Sequence, residues 1–163
     1  QLWINMPAKL KMNKPEYLYI KNNQLGVHED GEKIVKVIAG KFEKTEGPQK
    51  DHNVDPIYFH VMIEEGKEFT CDVPVGHNSF IYLLTGELTV GENKHDKTSN
   101  SNLILLDRGD KLIVKANKKS EFLFIAGKPI GEPIARGGPF VMNTKAEILQ
   151  AVQDYHNGTF AKY

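Results

Sequence analysis

Six histidines and one cysteine are the side chains of this 163-residue chain best suited to metal binding or nucleophilic chemistry. Their spacing limits what they can do together. His60 lies inside the apolar run Ile57-Tyr58-Phe59-His60-Val61-Met62-Ile63, where a lone imidazole reads first as a hydrogen-bonded core group and second as a metal ligand. His77 follows Gly76 at the entrance to an apolar run and reads as turn or rim packing. His52, beside Asp51 and near Asp55, could join those carboxylates in a small site, but a solvated loop histidine is the simpler reading. His28, His95 and His156 read as surface residues. Cys71 could act as a nucleophile only with a base nearby and a lowered pKa, and its neighbourhood favours a buried apolar thiol instead. A metal site assembled from dispersed groups would draw on His60, His77 and Glu87.

The elements that must position these groups are short and β-rich. From Tyr17 to Ala126 apolar runs alternate with turn chemistry. Strands are predicted at Tyr17–Lys21, Lys33–Ile38, Ile57–Ile63, Phe69–Val73, Ser79–Leu84, Glu87–Val90, Leu103–Leu106, Leu112–Lys115 and Glu121–Ala126. Glycine turns follow at Asp30-Gly31, Glu65-Gly66, Thr85-Gly86 and Arg108-Gly109. Strands this closely spaced imply a sandwich or barrel rather than alternating strand and helix units. Both faces of Ile57–Ile63 look mostly apolar, which makes it a central strand. The polar stretches Lys44–Pro56 and Gly91–Asn102 read as loops, the second as a mobile one.

Near the C-terminus the period changes. Thr144-Lys145-Ala146-Glu147 forms a capping box, Ile148, Val152 and Tyr155 share one helical face, and Gly158 closes the helix. Near the start, Asn5-Met6-Pro7 predicts a brief helical turn capped by Asn5 and ended by Lys14-Pro15.

Composition narrows the classes further. Lys plus Arg balance Asp plus Glu at 21 each, so no global field selects nucleic acid or an anionic membrane. The basic clusters at Lys94-His95-Asp96-Lys97 and Lys118-Lys119 are short and lack a continuous stripe with stacking aromatics, which disfavours nucleic acid as a partner. No apolar run is long enough to cross a bilayer, and no membrane partner is expected. A lone cysteine excludes an internal disulfide and fits a reducing compartment, so a cytoplasmic protein is expected. Trp3 would anchor the opening segment by its aromatic face. The first residue is Gln1 rather than Met, and the chain is expected to be a fragment or processed product.

One stretch has the rhythm of a metal-binding motif without its metal ligands. Val73-Pro74-Val75-Gly76-His77-Asn78-Ser79 leads through Phe80-Ile81-Tyr82-Leu83-Leu84 to Thr85-Gly86. It resembles the first cupin motif, in which a His-x-His pair and a following Glu aim ligands into a barrel. Anchored on Gly86, the Glu position falls on Ser79 and the histidine positions on Val73 and Val75, or on Asp72 and Pro74 with a longer spacer. Counted from Gly109, the histidine of the second motif falls on Ser120, with Glu121 the only ligating residue beside it. The structural glycines remain while the four ligands are missing.

The resemblance sharpens in Leu2-Trp3-Ile4-Asn5-Met6-Pro7 and in Gly138-Pro139-Phe140-Val141-Met142-Asn143-Thr144, which together are similar to the pirin family. That resemblance implies an all-β fold, a cupin double-stranded β-helix barrel with a C-terminal α-helix. It divides the chain into an opening segment (1–16), a cupin barrel lacking metal ligands (17–135) and a closing segment with the helix (136–163). Pirin-like proteins are bicupins, and this chain resembles the C-terminal half, so iron is expected in an N-terminal cupin and no cofactor in this chain. The implied activities of full-length relatives are metal-dependent quercetin 2,3-dioxygenase chemistry and transcriptional coregulation. For this chain the expectation is a non-catalytic structural or partner-binding half. Its expected partners are the N-terminal cupin domain, a second copy of itself, or a regulatory protein. The alternative readings are a stand-alone small-molecule-binding cupin and a dioxygenase with a rebuilt site.

Overall fold

A computed structural model describes residues 2–49, 53–91, 97–99 and 101–160. The chain divides into two compact units, one of residues 20–129 and the other of residues 1–19 with 130–163.

The larger unit is built from two antiparallel sheets. Its strands are β1 (Gly26–Glu29), β2 (Lys33–Ala39), β3 (Lys41–Phe42), β4 (Thr45–Glu46), β5 (Ile57–Ile63), β6 (Glu68–Asp72), β7 (Asn78–Thr85), β8 (Glu87–Val90), β9 (Lys97–Ser99), β10 (Leu103–Leu106), β11 (Lys111–Ala116) and β12 (Ser120–Gly127). One sheet has six strands in the order β1-β2-β5-β12-β7-β10, the other four in the order β6-β11-β8-β9, and β3 pairs only with β4. Alternation explains why β5 is central. Its odd residues Ile57, Phe59, Val61 and Ile63 are buried in the core, while Tyr58, His60 and Met62 lie half-buried on the opposite face between β2 and β12.

Aromatic rings join the two sheets. Phe69 of β6 stacks on Phe42 at 5.4 Å between centroids and meets Phe122 of β12 edge-on at 5.6 Å. Phe59 lies edge-on to Phe42 at 5.7 Å. These geometries are the favoured ones for ring quadrupoles, and each ring also removes a large apolar area from water. Gly86 lets the chain leave the six-stranded sheet at the end of β7 and enter the four-stranded one at β8. Its φ is +97°, and a β-carbon there would collide with the Ser120 hydroxyl and lie 2.6 Å from the Lys119 carbonyl oxygen.

The smaller unit contains a 3-10 turn at Ala8–Leu10, the hairpin of β13 (Ala135–Gly137) with β14 (Phe140–Met142), and helix α1 (Lys145–His156). Thr144 caps α1 by accepting the Glu147 N–H at 3.2 Å, and the Glu147 carboxylate accepts the Thr144 N–H at 2.7 Å. Asn157 ends the helix, with Gly158 following at φ +68°.

Five local expectations change. Tyr17–Lys21 forms no strand, and Tyr17 is 92% exposed; its apolar spacing has no partner strand to bury against. The first strand is instead Gly26–Glu29, held by β2. Part of the expected loop 91–102 is strand β9, which pairs with β8, and β4 lies within the expected loop 44–56. Asn5 does not cap the opening turn. Its Oδ1 accepts the Met6 N–H at 3.0 Å, and the turn begins only after Pro7. On α1, Ala151 and Asp154 are the buried residues, whereas Tyr155 is exposed and touches Phe140 by its ring edge.

Candidate functional site

Val73, Val75 and Ser79 are the positions that a cupin metal would require, from the end of β6 to the start of β7. Val73 closes the end of β6, buried, with its N–H donating to the Asp110 carbonyl at 2.8 Å. Val75 is 86% exposed in the following turn, and Ser79 is the second residue of β7. Val73 and Ser79 line a small cavity of about 180 Å³, walled by Val90, Leu106, Leu112 and Ile113 with Asp107, Arg108 and Lys111 at its edge. Its walls are aliphatic, and Asp107 is the one side chain among the lining residues with a ligating oxygen of carboxylate type.

Ser120 does not belong to this cavity. In the β12–β7 pair Ala126 stands opposite Ser79 and Glu121 opposite Thr85, so Ser120 lies at the far end, ~20 Å away at the rise of a strand. There it is 2% exposed, accepts the Glu87 N–H at 3.1 Å and donates to the Lys118 carbonyl at 2.7 Å, bracing the Gly86 turn. Counting residues from Gly109 thus missed the strand that returns to the cavity, which is β11, and the residue that β11 places beside Val73 and Ser79 is Leu112.

The histidines are dispersed. His60 projects from the outer face of β5 and is hydrogen-bonded to the Glu121 carboxylate at 2.6 Å, so both candidates at that level are committed to each other. His77 is buried, with Nε2–H donating to the Asp55 carbonyl oxygen at 3.1 Å and Nδ1 without a partner. Glu87 begins β8 just past the other end of the eight-residue strand β7, so His60, His77 and Glu87 do not converge. His52 and Asp51 lie outside the described residues, as does His95. Among the described residues no group of three or more His, Cys, Asp or Glu side chains is arranged to hold a metal ion.

One placement was not legible in the sequence. His28 is mostly buried against the edge of Phe42, with its ring nitrogens 3.5 Å from Asp30 and 3.4 Å from Glu43. The turn at Asp30-Gly31 signalled one carboxylate; the other, Glu43, lies between β3 and β4 at a positive φ of 51°. Cys71 is buried, and that burial, with the Asp72 charge added, pushes its thiol up to about 12, which leaves no thiolate for nucleophilic work at neutral pH.

The outer face of the six-stranded sheet is the second notable surface. Its side chains alternate with those of the core, yet they too are largely apolar: Met62, Leu123, Phe80, Tyr82, Leu103 and Leu105 follow one another across β5, β12, β7 and β10. Leu103 is 56% and Leu105 77% exposed on β10, which ends the sheet order. A sheet that faces water on one side normally carries polar residues there. No helix among the described residues is long and apolar enough to cross a membrane.

Two antiparallel sheets closed over one aromatic core, with an end cavity between β6, β7 and β11, define a cupin double-stranded β-helix barrel. Residues 58–161 match the pirin C-terminal cupin domain, and the chain belongs to the pirin family. It is 38% identical to the Pirin-like protein of Caulobacter vibrioides over 98% of this chain and 58% of that protein. It is 34% identical to Pirin of Homo sapiens over 96% of this chain and 55% of that protein. A crystal structure of quercetin 2,3-dioxygenase from Acinetobacter baumannii superposes with a TM-score of 0.88 at 30% identity, over 97% of this chain and 55% of that one. The chain spans little more than half the length of these relatives.

Proposed function

We propose that this chain is the non-catalytic half of a pirin-like protein, a cupin barrel retained for its shape and for docking a partner domain. The observation that carries the reading is the end cavity. Val73, Ser79 and Leu112 stand where a cupin would converge its ligands, and none of them is a donor that Fe(II) selects. The residues present do not fit iron, so no step of metal chemistry is derived for this barrel. The dioxygenase activity named for the Acinetobacter baumannii relative, and any iron it needs, are assigned to an N-terminal cupin domain.

The partner that we assign to the outer sheet face is that N-terminal cupin. The match takes up 58% and 55% of the Caulobacter vibrioides and Homo sapiens relatives, so each carries substantial further chain, and the matched domain is the C-terminal one of its family. Docking there would withdraw Leu103 and Leu105 from water, which is the main driving force for such an association.

Metal content tests the non-catalytic reading. The chain, expressed in medium supplemented with iron, zinc and manganese, is expected to retain no stoichiometric metal by plasma mass spectrometry. One tightly held metal per chain, lost on His60→Ala, would overturn it and favour the rebuilt-site enzyme.

A further inference from the structure

The smaller unit carries a groove of about 540 Å³ that has no part in the barrel. Its walls combine three kinds of side chain. Trp3, Phe140 and Phe160 offer aromatic surface, Met6, Met12 and Met142 offer polarizable thioethers, and Arg136, Lys11 and Asn5 offer donors. Methionine and aromatic walls accept a flat ring well, because sulfur and ring edges contact π surfaces favourably and methionine adapts its shape. The volume lies in the range of small-molecule sites, and a few placed polar groups among apolar walls are what such sites use for orientation.

The polar groups are not equivalent. Lys11 already donates to Asn5 Oδ1 at 2.5 Å, so its ammonium is engaged within the groove wall. Arg136 has no carboxylate partner among the described residues; its guanidinium lies over the Trp3 ring, 5.5 Å from the centroid. Asn5 supplies the second unmet donor. Its Oδ1 accepts from both the Met6 N–H and Lys11 Nζ, which settles the orientation of the amide and leaves Nδ2 buried without an acceptor. A buried donor left unpaired is costly, and an anionic acceptor would relieve it. Guanidinium and amide N–H groups beside a flat apolar wall suit a carboxylate attached to a ring, since arginine pairs planar anions in a fork geometry.

We propose that this groove binds a planar aromatic carboxylate, with the ring against Phe140, Trp3 and the methionines and the carboxylate on Arg136 and the Asn5 amide. The site is separate from the barrel cavity and does not depend on how the barrel is used.

Trp3 is the only tryptophan, so its indole N–H gives one isolated resonance in a proton–nitrogen correlation spectrum. The 163-residue chain would be titrated with 2-naphthoate and, separately, with 2-naphthylmethanol, which keeps the ring and lacks the charge. A saturable shift of the indole resonance is expected with the acid, and binding about ten-fold weaker with the alcohol, the size expected for one charged hydrogen-bonded contact. Arg136→Gln should bring the acid down to the affinity of the alcohol, with Arg136→Lys in between. Because Arg136 is exposed, the variant's remaining resonances are expected to stay in place, and they report that the fold is intact. No saturation at millimolar acid, equal binding of acid and alcohol, or unchanged binding by Arg136→Gln would each overturn the proposal.

Discussion

At the residue scale the most testable group is Glu147. Its carboxylate accepts the Thr144 and Asn143 N–H groups, and the Thr144 bond is the main reason its pKa falls below the ordinary value of 4.5. A carboxyl depressed in the folded state contributes stability that is fully present above the unfolded value and is lost as pH falls through the folded one. Unfolding of the C-terminal helix, followed by circular dichroism from pH 6 to about pH 2.5, is therefore expected to ease on the acid side. Glu147→Gln should flatten that acid limb. Thr144→Ala removes the cap itself and is expected to cost about 1 kcal/mol at neutral pH. An acid limb unchanged in Glu147→Gln would show that the bonds to Thr144 and Asn143 do not hold the helix end.

At the scale of elements, the two faces of the six-stranded sheet make opposite predictions although both are apolar. Phe122 of β12 is fully buried and meets Phe69 across the core, so Phe122→Ala should lose about 4 kcal/mol through transfer and cavity terms. Leu105 of β10 is 77% exposed on the outer face, and Leu105→Ala should stay within about 0.5 kcal/mol. Denaturant unfolding of both variants checks the pair. Equal losses would mean that the outer face is covered by the chain itself, and the docking surface would disappear with that result.

At the scale of the whole molecule, an apolar sheet face left in water should make the isolated 163-residue chain self-associate. Sedimentation velocity across a concentration series is expected to show association, with binding of a hydrophobic dye, and Leu105→Lys should reduce both. A monodisperse monomer that binds no dye at high concentration would count against the docking face. Such association would be a substitute contact between copies; the proposed partner is the N-terminal cupin.

The sequence by itself determined the strands with strong alternation, the capping box at Thr144 and Glu147, and the missing ligands at Val73, Val75 and Ser79. These are local properties: a strand's two faces follow from its period, and a cap needs residues only three positions apart. Tyr17–Lys21 had the same apolar spacing and formed no strand, because a strand exists only where another strand pairs with it. The tertiary structure alone decided which residues share a site. It placed Leu112, not Ser120, beside Val73 and Ser79, paired His60 with Glu121 across two strands, and brought Arg136 over Trp3. Sheet order and strand register set those meetings, and neither is written in the spacing of any one segment.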